Sequence, residues 1–237
     1  MNDPKKIIVA LDYSSEKSAL HLLSLLDPTF CRVKIGKELF TRYGPDLVRK
    51  ITHSGFEVFL DLKFHDIPNT VAGAISAAAD LGVWMVNVHA AGGRSMLAAA
   101  RKVITEKMPI KLVAVTVLTS LSPLDLQETG VIGLPEQQVL RLAGMAADCG
   151  LDGVVCSANE IESLRLNLPT KFLLVTPGIR PLGDNPGDQK RIETPARALA
   201  KGSDYLVIGR PITQASDPSQ KLQEILLEIQ GKIQNFC

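Results

Sequence analysis

The stretch Val58-Phe59-Leu60-Asp61-Leu62-Lys63-Phe64-His65-Asp66-Ile67-Pro68-Asn69-Thr70 joins an apolar, β-branched and aromatic run to an alanine-rich segment. The first part reads as a strand, the segment from Thr70 to Leu81 as a helix, and the residues between as a strand-to-helix loop. Asp61 and Lys63 are two apart, so on a strand their side chains share a face. Asp66 follows just beyond the strand end. Three charges at the mouth of a buried strand cost free energy unless they neutralise one another or take part in chemistry. Alone, Asp-x-Lys-x-x-Asp fits a structural ion pair as well as a catalytic centre.

The same strand-then-helix unit recurs along the chain. Apolar runs stand at Ile7–Leu11, Arg32–Ile35, Val58–Leu62, Met85–Val88, Leu112–Leu118, Val154–Cys156, Phe172–Val175 and Tyr205–Ile208. They do not alternate with polar residues, which marks parallel strands buried on both faces. Between and after them lie amphipathic stretches at Ser18–Leu26, Pro45–Ser54, Thr70–Leu81, Ser95–Glu106, Glu136–Cys149, Ala158–Leu166, Ala196–Lys201 and Gln220–Ile233. Ser14-Ser15-Glu16, Pro135 and Thr194-Pro195 supply helix starts. Eight such units in 237 residues predict an α/β fold, a single (β/α)8 TIM barrel spanning residues 1–237. A doubly wound sheet is the alternative, but no Gly-x-Gly-x-x-Gly follows the first strand.

Composition narrows the function. Net charge is +1, with 26 basic against 25 acidic residues, so bulk charge does not favour a nucleic-acid surface. The four cysteines form no Cys-x-x-Cys pair and no zinc-like grouping with the four histidines, which suits a reduced interior. Only five apolar residues precede Asp12, too few for a signal peptide, and no apolar run is long enough for a membrane span. The expectation is a soluble, cytoplasmic protein with no membrane partner.

A barrel carries its chemistry at the C-terminal ends of its strands. Asp12, Lys34, Asp61, Lys63, Asn87, His89, Thr119-Ser120, Thr176-Pro177-Gly178-Ile179-Arg180 and Gly209-Arg210 all fall there. Gly209-Arg210-Pro211 suits a phosphate: Gly209 lets a backbone N–H approach an oxyanion, Arg210 adds a charged fork, and Pro211 opens a short helix. The plainer reading of Gly209 is a strand-exit turn. The polar segment Pro177–Arg191 suits a lid over that phosphate, with Gln189 or Arg180 reaching the ligand, or else a surface loop. Lys34 and Lys63 beside Asp61 and Asp66 sum to zero charge. Neighbouring carboxylates keep a lysine protonated, so Lys63 reads as a proton donor rather than a Schiff-base nucleophile. Two aspartates could hold Mg²⁺, but two flanking ammonium groups repel it. No metal and no organic cofactor is expected.

On these residues the chain resembles the bacterial orotidine 5′-phosphate decarboxylases. Asp-Leu-Lys-Phe-His-Asp-Ile-Pro-Asn-Thr at 61–70 is the most specific match. Ile8-Val9-Ala10-Leu11-Asp12, Val33-Lys34-Ile35-Gly36, Thr176–Pro181 with Gly187-Asp188-Gln189, and Val207–Pro211 support it. Residues 121–135 match no motif. The resemblance implies decarboxylation of orotidine 5′-phosphate to UMP, the last step of de novo pyrimidine nucleotide synthesis, without a cofactor. It implies a charged tetrad of Lys34, Asp61, Lys63 and Asp66, with Lys63 protonating C6. It implies ribose contacts from Asp12, Lys34 and Thr70, a base bordered by Thr119 or Ser120 and by Pro177, and a 5′-phosphate held by Gln189, Gly209 and Arg210 with Arg180 close by. It also implies a homodimer in which Asp66 and Thr70 enter the partner's site.

Two other functions fit parts of the pattern. A metal-dependent phosphosugar enzyme shares Asp-x-Lys-x-x-Asp, but Lys34 and the continuation Phe64–Thr70 disfavour it. A uridine-nucleotide sensor would have no need of Lys63. His21 and His53 read as outer-helix residues, Asn87 and His89 as shaping the barrel mouth, and Trp84 and the Ala72–Ala79 run as packing or interface.

Overall fold

The computed structural model describes residues 5–106, 108–181 and 193–231. Eight parallel strands close in sequence order: β1 (Ile7–Ala10), β2 (Cys31–Gly36), β3 (Val58–Phe64), β4 (Met85–His89), β5 (Lys111–Val115), β6 (Gly153–Val155), β7 (Leu173–Thr176) and β8 (Tyr205–Ile208). β8 returns to β1 through Ile7 against Leu206 and Val9 against Ile208, so no sheet edge is left. This is the (β/α)8 barrel that the sequence predicts.

The helices are α1 (Glu16–Leu25), α2 (Lys37–His53), α3 (Pro68–Asp80), α4 (Gly93–Lys102), α5 (Pro123–Glu128), α6 (Pro135–Asp148), α7 (Ile161–Asn167), α8 (Pro195–Lys201), α9 (Arg210–Thr213) and α10 (Pro218–Ile229). Start signals act where the sequence puts them. Ser15 accepts the Ser18 amide at α1, Thr194 accepts the Arg197 amide at α8, and proline opens α6 and α8. The stretch Pro45–Ser54 proves to be the second half of α2. Gly44, at φ 62°, breaks that helix before Pro45, and residues 37–43 add an earlier turn. The long connection after β5 holds α5, capped by Ser122 and Asp125 in a reciprocal box. Six residues are too few to show a helical period in sequence. β5 itself stops at Val115, short of the expected Leu118.

Two apolar layers hold the barrel. The larger one packs strand residues such as Val9, Val33, Ile35, Leu60 and Val86 against the inner faces of the helices. The smaller one fills the barrel interior with Ile8, Ala10, Phe59, Met85, Val113, Val175, Tyr205 and Val207. Because both faces are buried, β1 and β8 are buried along their whole length, which removes the alternation from their sequences. No helix among the described residues is long and apolar enough to cross a membrane.

Candidate active site

The site grows out of an irregularity in β3. Leu60 pairs with Val86 of β4, yet the next pair is Phe64 with Val88, so β3 carries extra residues over that interval. Lys63 lies inside this bulge at φ 53°, the one non-glycine residue with positive φ among those described. That backbone state costs roughly 1–2 kcal/mol and persists only where its surroundings enforce it. Two bonds do so. The Lys63 amide donates to Asn87 Oδ1 at 2.7 Å, and Lys63 Nζ donates to Asp61 Oδ1 at 2.6 Å. Asp61 and Lys63 therefore meet, as the sequence suggests, but through a bulge rather than the flat pleat of a regular strand.

Asp61 is the hub of the charged network. Its Oδ1 also accepts from Asn87 Nδ2 at 2.7 Å, while its Oδ2 lies 3.4 Å from Lys34 Nζ. Lys34 Nζ reaches on to Asp12 Oδ1 at 3.1 Å. Burial would raise the Asp61 carboxyl pKa, but Lys34, Lys63 and the Asn87 amide outweigh it and hold the group below its ordinary value. Burial would likewise push the Lys34 ammonium down, and Asp61 and Asp12 hold it above its ordinary value instead. Both groups are charged at neutral pH.

Within one chain, Asp12 rather than Asp66 completes two cations and two anions. Asp66 is exposed and accepts the amide of Ile67 at 2.6 Å, and Thr70 is exposed a few residues on. The reason is directional. Beyond the bulge the chain turns outward into α3, so residues 65–70 leave the barrel axis.

A cleft of about 610 Å³ opens over the network. Asp12, Lys34, Asp61, Lys63, Thr119, Pro177, Arg180, Gly209 and Arg210 line it, gathering residues from six strand exits. Asp66, Thr70 and Ser120 are not in its wall, and Ser120 is exposed. Gln189 and most of the expected lid lie outside the described residues. The base of that segment is closed by the Arg180 amide donating to the Glu193 carbonyl at 2.9 Å, and Glu193 is held by Lys201 at 2.7 Å. Opposite, Gly209 caps the short α9, its carbonyl accepting the Ile212 and Thr213 amides. A Cβ on Gly209 would stand 3.6 Å from Ala10 and 3.8 Å from Asp12 Oδ2, filling cleft space without a clash.

Some wall residues were not legible in sequence. Tyr13 donates from its hydroxyl to the Thr213 carbonyl at 3.1 Å and ties the β1 exit to α9. Gln214 follows it in the wall, and Val115, Val117, Leu118 and Cys156 provide an apolar side. Their only sequence signal was position at a strand exit. His89 ends β4, accepts the Ala91 amide on Nδ1 at 3.3 Å, and stacks on His65 with ring centroids 5.3 Å apart. Burial, with His65, Lys37 and Lys63 nearby, holds its pKa below the ordinary histidine value, consistent with a neutral ring. Among the described residues, no group of three or more histidine, cysteine, aspartate or glutamate side chains gathers as a metal site.

Residues 5–225 match the model of the orotidine 5′-phosphate decarboxylase / HUMPS family. The chain belongs to this family. An orotidine 5′-phosphate decarboxylase of Vibrio cholerae is 58% identical over 228 residues, covering 95% of this chain and 98% of its own. One from Nitrosospira multiformis is 56% identical over 230 residues, covering 97% and 95%. Among solved structures, the orotidine 5′-phosphate decarboxylase of Lactobacillus acidophilus superposes with a TM-score of 0.85 at 41% identity, covering 95% of this chain and 99% of that one. The likeness embraces the whole barrel, not the charged motif alone.

Proposed function

We propose that this protein decarboxylates orotidine 5′-phosphate to UMP and CO2, the closing step of de novo pyrimidine nucleotide synthesis, with no metal or organic cofactor. One observation carries the reading: the Lys63 amino group sits 2.6 Å from the buried Asp61 carboxylate at the floor of a cleft of about 610 Å³. Family membership supports the substrate.

In this mechanism Gln189, the Gly209 amide and the Arg210 guanidinium hold the 5′-phosphate, with Arg180 close by. Asp12 and Lys34 bind ribose hydroxyls. Thr119 (or Ser120) and Pro177 border the pyrimidine, which places C6 over Lys63 and the substrate carboxylate against Asp61. The C6–carboxylate bond breaks, CO2 leaves, and the electron pair stays on C6. The Lys63 ammonium stabilises that charge and then delivers its proton to C6. Asp61 and Lys34 keep Lys63 oriented and the centre near neutrality before the substrate arrives. Remote phosphate binding supplies free energy for closure and water exclusion around C6.

The exposed Asp66 and Thr70 act in the site of a second copy, making the enzyme a homodimer with two shared sites. Their position outside their own cleft fits this. Loss of absorbance of orotidine 5′-phosphate, followed with and without chelator, tests the reading. Turnover indifferent to chelator is expected. Turnover abolished by chelator would point to a metal-dependent phosphosugar enzyme, and UMP binding without CO2 release to a sensor. Mixing inactive Lys63→Ala and Asp66→Ala subunits tests the shared site. Random exchange gives mixed dimers with one intact site, so about a quarter of wild-type activity returns; no recovery after confirmed exchange refutes sharing.

A further inference from the structure

We propose that Asn87 is a positioning residue for the proton donor, holding Lys63 in its left-handed backbone state and Asp61 in the matching rotamer. This rests on the decarboxylase reading for its kinetic consequence, but its structural part stands on the geometry of the bulge.

Asn87 is fully buried and sits on β4 against Val113 of β5, on the interior wall of the barrel. Both ends of its amide face the charged centre. Oδ1 accepts the Lys63 amide at 2.7 Å, and Nδ2 donates to Asp61 Oδ1 at 2.7 Å. One side chain therefore grips the backbone of the proton donor and the side chain of its carboxylate partner. No other neutral side chain of the described residues bonds Asp61. The chemistry of an amide is required here. A carboxylate would accept from Lys63 but repel Asp61, and an apolar isostere would leave the Lys63 amide buried without its acceptor. The bulge explains why such a clamp exists. Extra residues between Leu60 and Phe64 interrupt the β3–β4 ladder, so the Lys63 amide has no strand carbonyl to pair with and uses a side chain. With Asn87 absent, the backbone at Lys63 relaxes to negative φ and Nζ swings away from Asp61.

The tests use the full-length enzyme. Asn87→Ala and Asn87→Leu are expected to lower kcat by about 100-fold, the loss typical of a misplaced catalytic group, with KM and UMP affinity within about threefold. Asn87→Asp is expected to lose as much at about pH 8 and to recover several-fold as the pH falls, because a proton shared with Asp61 restores a donor where Nδ2 stood. A merely structural role would not produce that acid recovery. Wild-type kcat in Asn87→Ala, parallel loss of kcat and UMP binding in both Asn87→Ala and Asn87→Leu, or an unchanged pH profile in Asn87→Asp each overturns the proposal. A crystal structure of Asn87→Ala tests the clamp independently of turnover. Lys63 at negative φ and parted from Asp61 is expected. Lys63 still at positive φ and still bonded to Asp61 would refute the clamp, even if the wild-type enzyme proved to act on another substrate.

Discussion

Arg32 and Lys34 stand two residues apart on β2, both inside the barrel and both buried, at 4% and 8% exposure. They face opposite ends of the interior. Arg32 lies at the N-terminal end, its guanidinium 4.0 Å from the Trp84 ring centroid and 5.2 Å from that of Tyr205. It pairs with Glu57 at 3.1 Å, donates to the Lys5 carbonyl, and shares Glu57 with the Lys5 ammonium. Lys34 lies at the C-terminal end between Asp12 and Asp61, under the open cleft. One cation is walled in by aromatic faces, the other faces space a substrate can fill. Of these two buried charges, only Lys34 borders the cleft. The guanidinium suits its place, since its plane can lie on the Trp84 ring while its N–H groups reach Glu57.

The largest test of this contrast is Lys63→Ala at the cleft end. It should lower kcat by at least about 10⁴-fold by removing both the proton and the facing charge. UMP binding, measured by calorimetry, should stay within about tenfold. Equal loss of both would make Lys63 a binding group and blur the division between the two ends.

The β2 pair itself gives a sharper, intermediate test. Lys34→Met should lower kcat by about 10²–10³-fold, the scale for removing one placed charge. Arg32→Met should leave kcat within about twofold and cost about 2–3 kcal/mol of stability. That is below the loss for a fully buried pair, because Glu57 is partly exposed and keeps Lys5. Urea denaturation beside steady-state kinetics reads both. A kinetic defect in Arg32→Met that persists well below its melting temperature would break the comparison.

The smallest effect is in pH. Asp61 is held below its ordinary value in the folded state, so its contribution is present above the unfolded carboxylate value and is lost as pH falls through the folded one. Lys34 is held above its ordinary value, so its contribution is present below the unfolded lysine value and lost as pH rises through the folded one. Stability from this network is flat around neutrality. Asp61→Asn should flatten the acid limb of Tm against pH by a few degrees, as 1 kcal/mol moves Tm by roughly 2–4 °C in a chain of this size. An unchanged acid limb would mean that other carboxylates govern acid unfolding.

Particular elements show how far sequence reasoning reaches. All eight strands were legible because a parallel barrel buries both faces and leaves dense apolar runs at regular spacing. α5 and the first half of α2 were not, one being too short for a period and the other masked by the Gly44 break. Lys34, Asp61, Lys63 and the Gly209-Arg210 exit were legible as polar residues ending apolar runs. Tyr13, Thr213 and Gln214 were not, since reaching a cleft wall from a loop depends on the path of the backbone.

The stretch 58–70 by itself determined that a strand ends in charge and turns into a helix. Repeated spacing made that unit one-eighth of a barrel, because local periodicity and turn chemistry act over a few residues. Only the tertiary structure decided which charges meet. It brought Asp12 to Lys34 across the β1–β2 exit and sent Asp66 outward. It also gave Asn87, which reads in sequence as one polar residue within an apolar strand, a bond to each half of the Asp61–Lys63 pair. The physical reason is that the Asn87 bonds depend on the β3 bulge and its partner strand β4, and the Asp12–Lys34 contact on the neighbouring exits of β1 and β2, so each joins segments far apart in sequence.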